Sequence, residues 1–219
     1  MANTNELELN RIDKLIIAGW TGRDVAALER HIAELAAIGV ERPKTTPIFY
    51  RVSASLLTTN DAIEVLGDHS SGEVECVVYS FNDGLWIGVG SDHTDRKAEA
   101  FGVSLSKQMC AKPVSRELWR FAEVAPHWDR LMLRSYVGVA GKRRLYQEGS
   151  AAAMRPVPEL IKLYGGDVAL RNGTAMFCGT LAVHGAITPA ENFAMELDDP
   201  VLRRKITHSY RVYNLPDNG

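Results

Sequence analysis

Long apolar runs are missing from this chain of 219 residues. No stretch approaches the ~20 apolar residues that a membrane-spanning helix needs, so a membrane is not an expected partner. Cysteine is scarce. Cys76, Cys110 and Cys178 stand far apart, in an odd number and without CxxC spacing. That excludes a disulfide frame and a thiolate zinc site, and reads as reduced thiols in a cytoplasmic protein. An excess of one charge is absent as well, with 25 Lys plus Arg against 27 Asp plus Glu. Such a balance gives no global field to hold a polyanion, so nucleic acid is not an expected partner either. No GxGxxG or Walker pattern points to a nucleotide cofactor. The opening dozen residues lack the basic and apolar regions of a secretory signal. No repeat, low-complexity segment or Pro/Gly/Ser linker divides the chain, so the expectation is a single domain over residues 1–219.

What is present is an alternation of short apolar runs. Residues 1–12 read either as a loose tail or as a first strand, and Lys14–Ala18 as a strand ending at Gly19. From Asp24 to Ile38, Val25, Leu28, Ile32 and Leu35 recur at helical spacing, with Thr21 or Asp24 as the cap and Gly39 as the stop. After Pro43 the pattern turns to strands: Pro47–Ser53, Ala62–Leu66, a hairpin over Ser71–Gly90, then Trp128–Val139, Thr174–Val183 and Lys205–Tyr213. A loop or short-helix region runs through Lys112, and Pro156–Leu163 reads as a short helix. Many strands with one strong helix predict a β-rich α+β fold, not alternating βαβ units.

The most informative stretch runs from Gly72 to Asp92. Side chains alternate faces along a strand, so Glu73, Glu75, Val77 and Tyr79 share one face. Asp83-Gly84 is a favoured two-residue hairpin loop. With that loop Asn82 faces Leu85, and the register carried back places Asp92 opposite Glu75. Glu73, Glu75 and Asp92 then form one acidic cluster. Like charges that close repel, and a hard divalent cation relieves them because carboxylate oxygens suit Mg²⁺, Mn²⁺ or Ca²⁺. The plain alternative is the wet face of an edge hairpin. Both readings stand at this point, and a β-bulge in the hairpin would break the match.

At these residues the sequence resembles the fumarylacetoacetate hydrolase superfamily, which carries an E-x-E strand followed by N-D-x-S/T-x-R. Here the text is Glu73-Val-Glu75 and then Ser91-Asp-His-Thr-Asp-Arg96, with Ser91 in place of the family Asn. The resemblance spans about residues 15–213 and includes the Pro47–Ser53 segment upstream. It implies a mixed β-sandwich roll with an N-terminal helix, often assembled as a homodimer. It implies Glu73, Glu75 and Asp92 as ligands of a divalent metal, commonly Mg²⁺. It further implies Lys107 as a catalytic lysine, and Thr180 in Cys178-Gly-Thr180 as a substrate-binding residue, with Cys178 departing from the family's T-G-T turn. His31-Ile-Ala-Glu34 has the spacing of the H-x-x-E pair in the lid of the family's smaller members. The wording around Ser91–Lys97, Ser106–Cys110 and His127–Leu131 resembles an uncharacterised branch of the superfamily.

The chemistry implied is hydrolysis of a C–C bond in a small oxo acid or 1,3-dicarbonyl compound through a metal-stabilised enolate. Lys107 would face the developing oxyanion, Glu34 would orient His31, and His31 would take a proton from water. On the same metal, a lyase (decarboxylase or hydratase) or a tautomerase is the alternative, and a non-catalytic small-molecule binding domain is a third reading. Without the resemblance, His31 reads as a residue bordering the core beside Leu28 and Leu35, Glu34 as a solvated helix charge, and Lys107 as a surface lysine. Cys110 and Cys178 read as small core residues, His93 as pointing away from Asp92, and Arg96 as a brace for the loop after Asp92. Trp119, Phe121, His127 and Trp128 read as core or dimer contacts, and Lys142-Arg-Arg144 and Arg203-Arg-Lys205 as solvated turns.

Overall fold

A computed structural model describes residues 4–37, 42–139 and 141–218. The strands are β1 (Thr4–Glu6), β2 (Lys14–Gly19), β3 (Ile48–Val52), β4 (Leu57–Thr58), β5 (Ala62–Leu66), β6 (Ser70–Ser71), β7 (Val74–Phe81) and β8 (Gly84–Ser91). They continue with β9 (Thr94–Asp95), β10 (Lys112–Pro113), β11 (Glu117–Arg120), β12 (Met132–Val139), β13 (Lys142–Ser150), β14 (Thr174–Thr180), β15 (Asn192–Asp199) and β16 (Arg204–Leu215). The helices are α1 (Val25–Ala37), α2 (Arg96–Glu99), α3 (Val103–Met109), α4 (Phe121–Val124) and α5 (Val157–Gly165). No helix among the described residues is long and apolar enough to cross a membrane.

Two mixed sheets carry the fold. One has the order β1-β11-β8-β7-β14-β2-β3, the other β13-β12-β15-β16-β5. Their facing sides make the main core. Val74, Cys76 and Val78 of β7 meet the cluster that includes Leu133, Phe193, Leu197 and Tyr210 of the second sheet. The odd-numbered side of β7 is buried too. Val77, Tyr79 and Phe81 lie in a second apolar cluster with Leu15, Val52, Leu57 and Val114. β7 is therefore covered on both faces, and every one of its eight residues is buried. This two-sided burial explains its nearly continuous apolar sequence. It also means that Glu75, on the odd face, is carried inside.

The β-rich α+β architecture is the one expected, and most of the expected strands and both expected helices are present. Three readings change. The first is the N-terminus, where, of the described residues, Thr4–Glu6 pairs with β11 and Leu7 and Ile12 are buried, so residues 4–12 follow the first-strand alternative. Second, Trp128 belongs to a 3-10 turn over Ala125–Arg130, and the strand begins only at Met132. Pro126 accounts for this, because a residue without an N–H is tolerated in a first helical turn and not in a central strand. The third concerns the hairpin loop, which is Asn82-Asp83, with Phe81 opposite Gly84 and Glu75 opposite Gly90. Asp92 thus lies across from Glu73, whose carbonyl accepts from the Asp92 N–H at 3.0 Å, and not across from Glu75. The shift is two residues. Side chains alternate with a period of two, so every face assignment survives it.

Candidate metal centre

The hairpin brings the three acidic residues together. Glu73, Glu75 and Asp92 each offer a carboxylate oxygen, and these oxygens lie within 4.8 Å of one another. Asp92 is fully buried, Glu75 nearly so, and Glu73 lies at the half-buried rim. Two glycines shape the space. Gly90, opposite Glu75, has no room for a side chain, because a Cβ there would stand 2.7 Å from Val77 Cγ2 and 2.8 Å from the Phe177 ring. Gly179 sits in an irregularity of β14 with φ +101°, a left-handed backbone, and its N–H donates to Glu75 Oε2 at 2.7 Å.

Cations surround the acids. Arg96 pairs with Glu73 at 2.9 Å and with Glu99 at 3.2 Å, and its Nε donates to Ser71 Oγ at 2.7 Å. It therefore touches a candidate ligand as well as bracing the chain after Asp92. Lys107 Nζ donates to Asp92 Oδ2. Lys112 Nζ stands 3.3 Å from Asp92 Oδ1 and donates to the His93 carbonyl at 2.6 Å. α3 turns its polar side inward: Ser106 and Lys107 are buried while Leu105 and Met109 are exposed. Gln108 of the same helix accepts from the Ser53 N–H at 2.9 Å, which fastens α3 to the end of β3.

The electrostatics follow from burial and these partners. Burial, then the charge of Asp92, push the Glu75 carboxyl well above the ordinary glutamate range. Burial also opposes ionisation of Asp92, but Lys107 and Lys112 outweigh it, and the carboxyl falls below the ordinary range. Lys107 is raised, since Asp92 and Glu73 outweigh the cost of burying its ammonium. Asp92 Oδ1 is a buried oxygen that accepts no hydrogen bond. A buried carboxylate oxygen that faces only the Lys112 ammonium and accepts no hydrogen bond, two further carboxylates within reach and an all-oxygen donor set fit a hard divalent cation.

The remaining candidates divide. Thr180 lies opposite Glu75 on β14, with its hydroxyl donating to the Val74 carbonyl at 2.9 Å and accepting from Gln147 Nε2 at 2.8 Å. His31 and Glu34 stand on α1, and their side chains fall outside the described residues. His93 points away from the acids, held between Tyr210 OH and Ser70 Oγ at 2.9 Å each. Burial, helped by Lys112 and Arg96, pushes it down to about 3, so it stays neutral. Ser91 is fully buried, receives Tyr210 OH at 2.8 Å and accepts from the Glu73 N–H at 3.3 Å. All three cysteines are free and buried, and burial raises each thiol, Cys110 to about 11. Trp119 and Trp128 are core residues, and His127 pairs with Asp199 at 3.0 Å.

Lys112 is the residue that sequence reasoning missed. Val114 bridges Gly90 in antiparallel fashion, and that register carried on by two places sets Lys112 beside Asp92. No local pattern around Lys112 announces this contact, which depends on strands far apart in the chain.

The same arrangement of sheets is found in known structures. The yeast fumarylacetoacetate hydrolase family protein ynq8 superposes with a TM-score of 0.67 at 17% identity, over 94% of this chain and 95% of that one. The 2-hydroxyhepta-2,4-diene-1,7-dioate isomerase from Mycobacterium marinum gives 0.65 at 15% identity, over 95% and 77%. A 2-keto-3-deoxy-D-arabinonate dehydratase gives 0.67 at 17% identity, over 97% and 76%. A comparison with the curated proteins found no match. The fold is that of the fumarylacetoacetate hydrolase superfamily. Residues 18–210 match the family described as "Protein of unknown function (DUF2848)", and the chain belongs to that family.

Proposed function

We propose that this protein is a divalent-metal-dependent enzyme acting on a small oxo acid or 1,3-dicarbonyl compound, and that its reaction is hydrolysis of a C–C bond. The observation that carries the reading is the trio of carboxylates within 4.8 Å, with the ammonium of Lys107 at its edge. Glu73, Glu75 and Asp92 would hold the ion, with Mg²⁺ or Mn²⁺ the first choice and Ca²⁺ the next. Bound there, it would supply Lewis-acid polarisation of a carbonyl and stabilise enolate charge. Gly179 N–H fixes the direction of Glu75, and Arg96 fixes Glu73. Lys107 presents a positive charge where an oxyanion develops, and Thr180 would bind a substrate carboxylate by turning its hydroxyl proton away from the Val74 carbonyl that now receives it. His31, oriented by Glu34, would take a proton from the attacking water. The fold likenesses include proteins named as isomerase and dehydratase. A homodimer working in the cytoplasm belongs to the same proposal.

One observation favours a lyase or tautomerase as a second reading. Two of the solved structures with this fold are named as an isomerase and a dehydratase, neither of which hydrolyses a C–C bond. His31→Ala separates the two. Loss of turnover and of ¹⁸O incorporation from labelled water, measured on a panel of oxo acids, is expected for the hydrolase. Turnover that survives without His31 overturns hydrolysis and leaves the lyase.

A further inference from the structure

Glu73 and Glu75 flank Val74 at the start of β7, Thr180 ends β14, and one side chain from the second sheet is bonded to both places. Gln147 comes from β13, where Tyr146 is the extra residue of a β-bulge, since Gln147 pairs with Ser135 and Leu145 with Tyr136. Neighbours on a regular strand face opposite ways, but beside this bulge Tyr146 and Gln147 are both fully buried. The Gln147 amide makes four hydrogen bonds. Its Oε1 accepts from the Val74 N–H at 3.0 Å and from Ser135 Oγ at 2.9 Å. Its Nε2 donates to Thr180 Oγ1 at 2.8 Å and to the Leu181 carbonyl at 2.7 Å. These use both lone pairs of the oxygen and both protons of the nitrogen. The two ends cannot be exchanged, because the Val74 N–H only donates and the Leu181 carbonyl only accepts. The direction of the amide is therefore fixed.

On the metal-centre reading, we propose that Gln147 is a positioning residue of that centre, which holds the carboxylate strand and the Thr180 hydroxyl in one frame. Fixing the Val74 N–H fixes the backbone that aims the glutamates on either side of it. The Val74 carbonyl in turn receives the Thr180 hydroxyl at 2.9 Å, so Gln147, Val74 and Thr180 close a ring of hydrogen bonds. Within the ring Gln147 fills one lone pair of the Thr180 oxygen, and the hydroxyl proton is directed away from it. That proton is what Thr180 can turn toward an anionic oxygen. Gln147 thus biases Thr180 toward acceptors such as a carboxylate. A neutral amide does this without adding charge beside the acids, and with every polar atom paired its burial leaves nothing unsatisfied. Gln147 touches neither ion nor substrate. It acts through Val74 and Thr180, across the space between the two sheets.

The test compares Gln147→Met, of similar length but without the amide, with Ser135→Ala, which removes one bond to the same amide and keeps those to Val74 and Thr180. Calorimetric titration of chelator-stripped protein with Mn²⁺ is expected to show about tenfold weaker binding in Gln147→Met, and a change within about threefold in Ser135→Ala. Oxalate binding to the Mn²⁺-loaded protein should weaken in Gln147→Met, and adding Thr180→Val should bring little further loss, as a double-mutant cycle reports. Additive losses overturn the link to Thr180. Wild-type Mn²⁺ affinity in a folded Gln147→Met protein overturns the inference and leaves the metal centre standing. Equal losses in Gln147→Met and Ser135→Ala assign the amide to core packing and overturn it too. A wild type that binds no Mn²⁺ overturns the metal-centre reading itself, and the role of Gln147 with it. If Gln147→Met does not fold, as circular dichroism reports, the ¹⁵N side-chain amide signal of Gln147 in the wild type decides. It should shift when oxalate is added to the Mg²⁺-loaded protein, and an unmoved signal overturns the inference.

Discussion

Two places in this molecule gather three carboxylates on one sheet face, and they are built in opposite ways. Around Arg134, Glu148, Glu196 and Asp198 converge from neighbouring strands at 2.6, 3.0 and 3.0 Å, and Lys205 joins Glu196 at 3.3 Å. There the cation sits among the acids, the guanidinium meets each of them, and the side chains reach water. Around Asp92 the cations flank the acids. Among the described residues Glu75 has no cation in ion-pair contact, Asp92 Oδ1 faces the Lys112 ammonium at 3.3 Å without accepting a hydrogen bond, and the groups are largely buried. The sequence patterns are alike, Glu73-Val-Glu75 in one and Glu196-Leu-Asp198 in the other. A carboxylate-x-carboxylate strand therefore does not define a metal centre by itself. The position of the positive charge and the depth of burial do.

The largest effect expected from this contrast comes from removing the acid at the buried end. Asp92→Ala leaves Lys107 and Lys112 without their shared partner and should cost about 3–5 kcal/mol, read from denaturant unfolding. A cost below about 1 kcal/mol would show that the buried cluster behaves like the surface one. Next comes metal itself. At a concentration a hundred times its dissociation constant, Mg²⁺ or Mn²⁺ should stabilise the protein by about 2.7 kcal/mol. Thermal melts of chelator-treated protein should show this rise in Tm, and Glu75→Gln should abolish it. No shift at millimolar metal in the wild type counts against the centre.

Asp199 sharpens the comparison from the surface side. It follows Asp198 in β15 but faces inward, where its Oδ1 accepts from the Leu202 N–H at 3.1 Å and pairs with His127. Burial alone would raise its carboxyl, but the backbone N–H of Leu202 and then His127 outweigh it and hold the group below the ordinary range. A carboxyl lowered in the folded state contributes stability above its unfolded pKa and loses it as pH falls through the folded value. Asp199→Asn should therefore cost about 1.5 kcal/mol at neutral pH. The gap to the wild type should close as pH falls below about 3.9. A gap that widens in acid would refute this sign. The smallest effect belongs to Arg134→Met, expected to change stability by about 1 kcal/mol or less, because its partners remain solvated.

Much of the centre was legible because it is local. Face alternation over Glu73–Asp92 grouped the three acids, and the grouping tolerated a loop misplaced by one residue at each side because the resulting shift was even. The departure at Ser91 could be noticed in the sequence, but its work could not, since Tyr210 lies 119 positions away. Lys107 could be picked out by resemblance. That its helix faces Lys107 inward and Leu105 outward could not be read from a pattern that favours the reverse. Of the strands longer than two residues, β11, β13 and β15 were missed. β13 opens on three charged residues and β11 is only four residues long, so their apolar periodicity is faint, whereas β15 carries a regular alternation at Phe193, Met195 and Leu197.

By itself the sequence determined which residues share a strand face and which turns join neighbouring strands, because backbone stereochemistry acts within a few residues. It thereby determined the acidic trio and the β-rich class. Only the tertiary structure decided that both faces of β7 are covered, that Lys112 arrives beside Asp92 through the pairing of Val114 with Gly90, and that the Gly179 N–H reaches Glu75. Burial and charge balance arise when segments distant in the chain exclude water together, and that exclusion has no local signature.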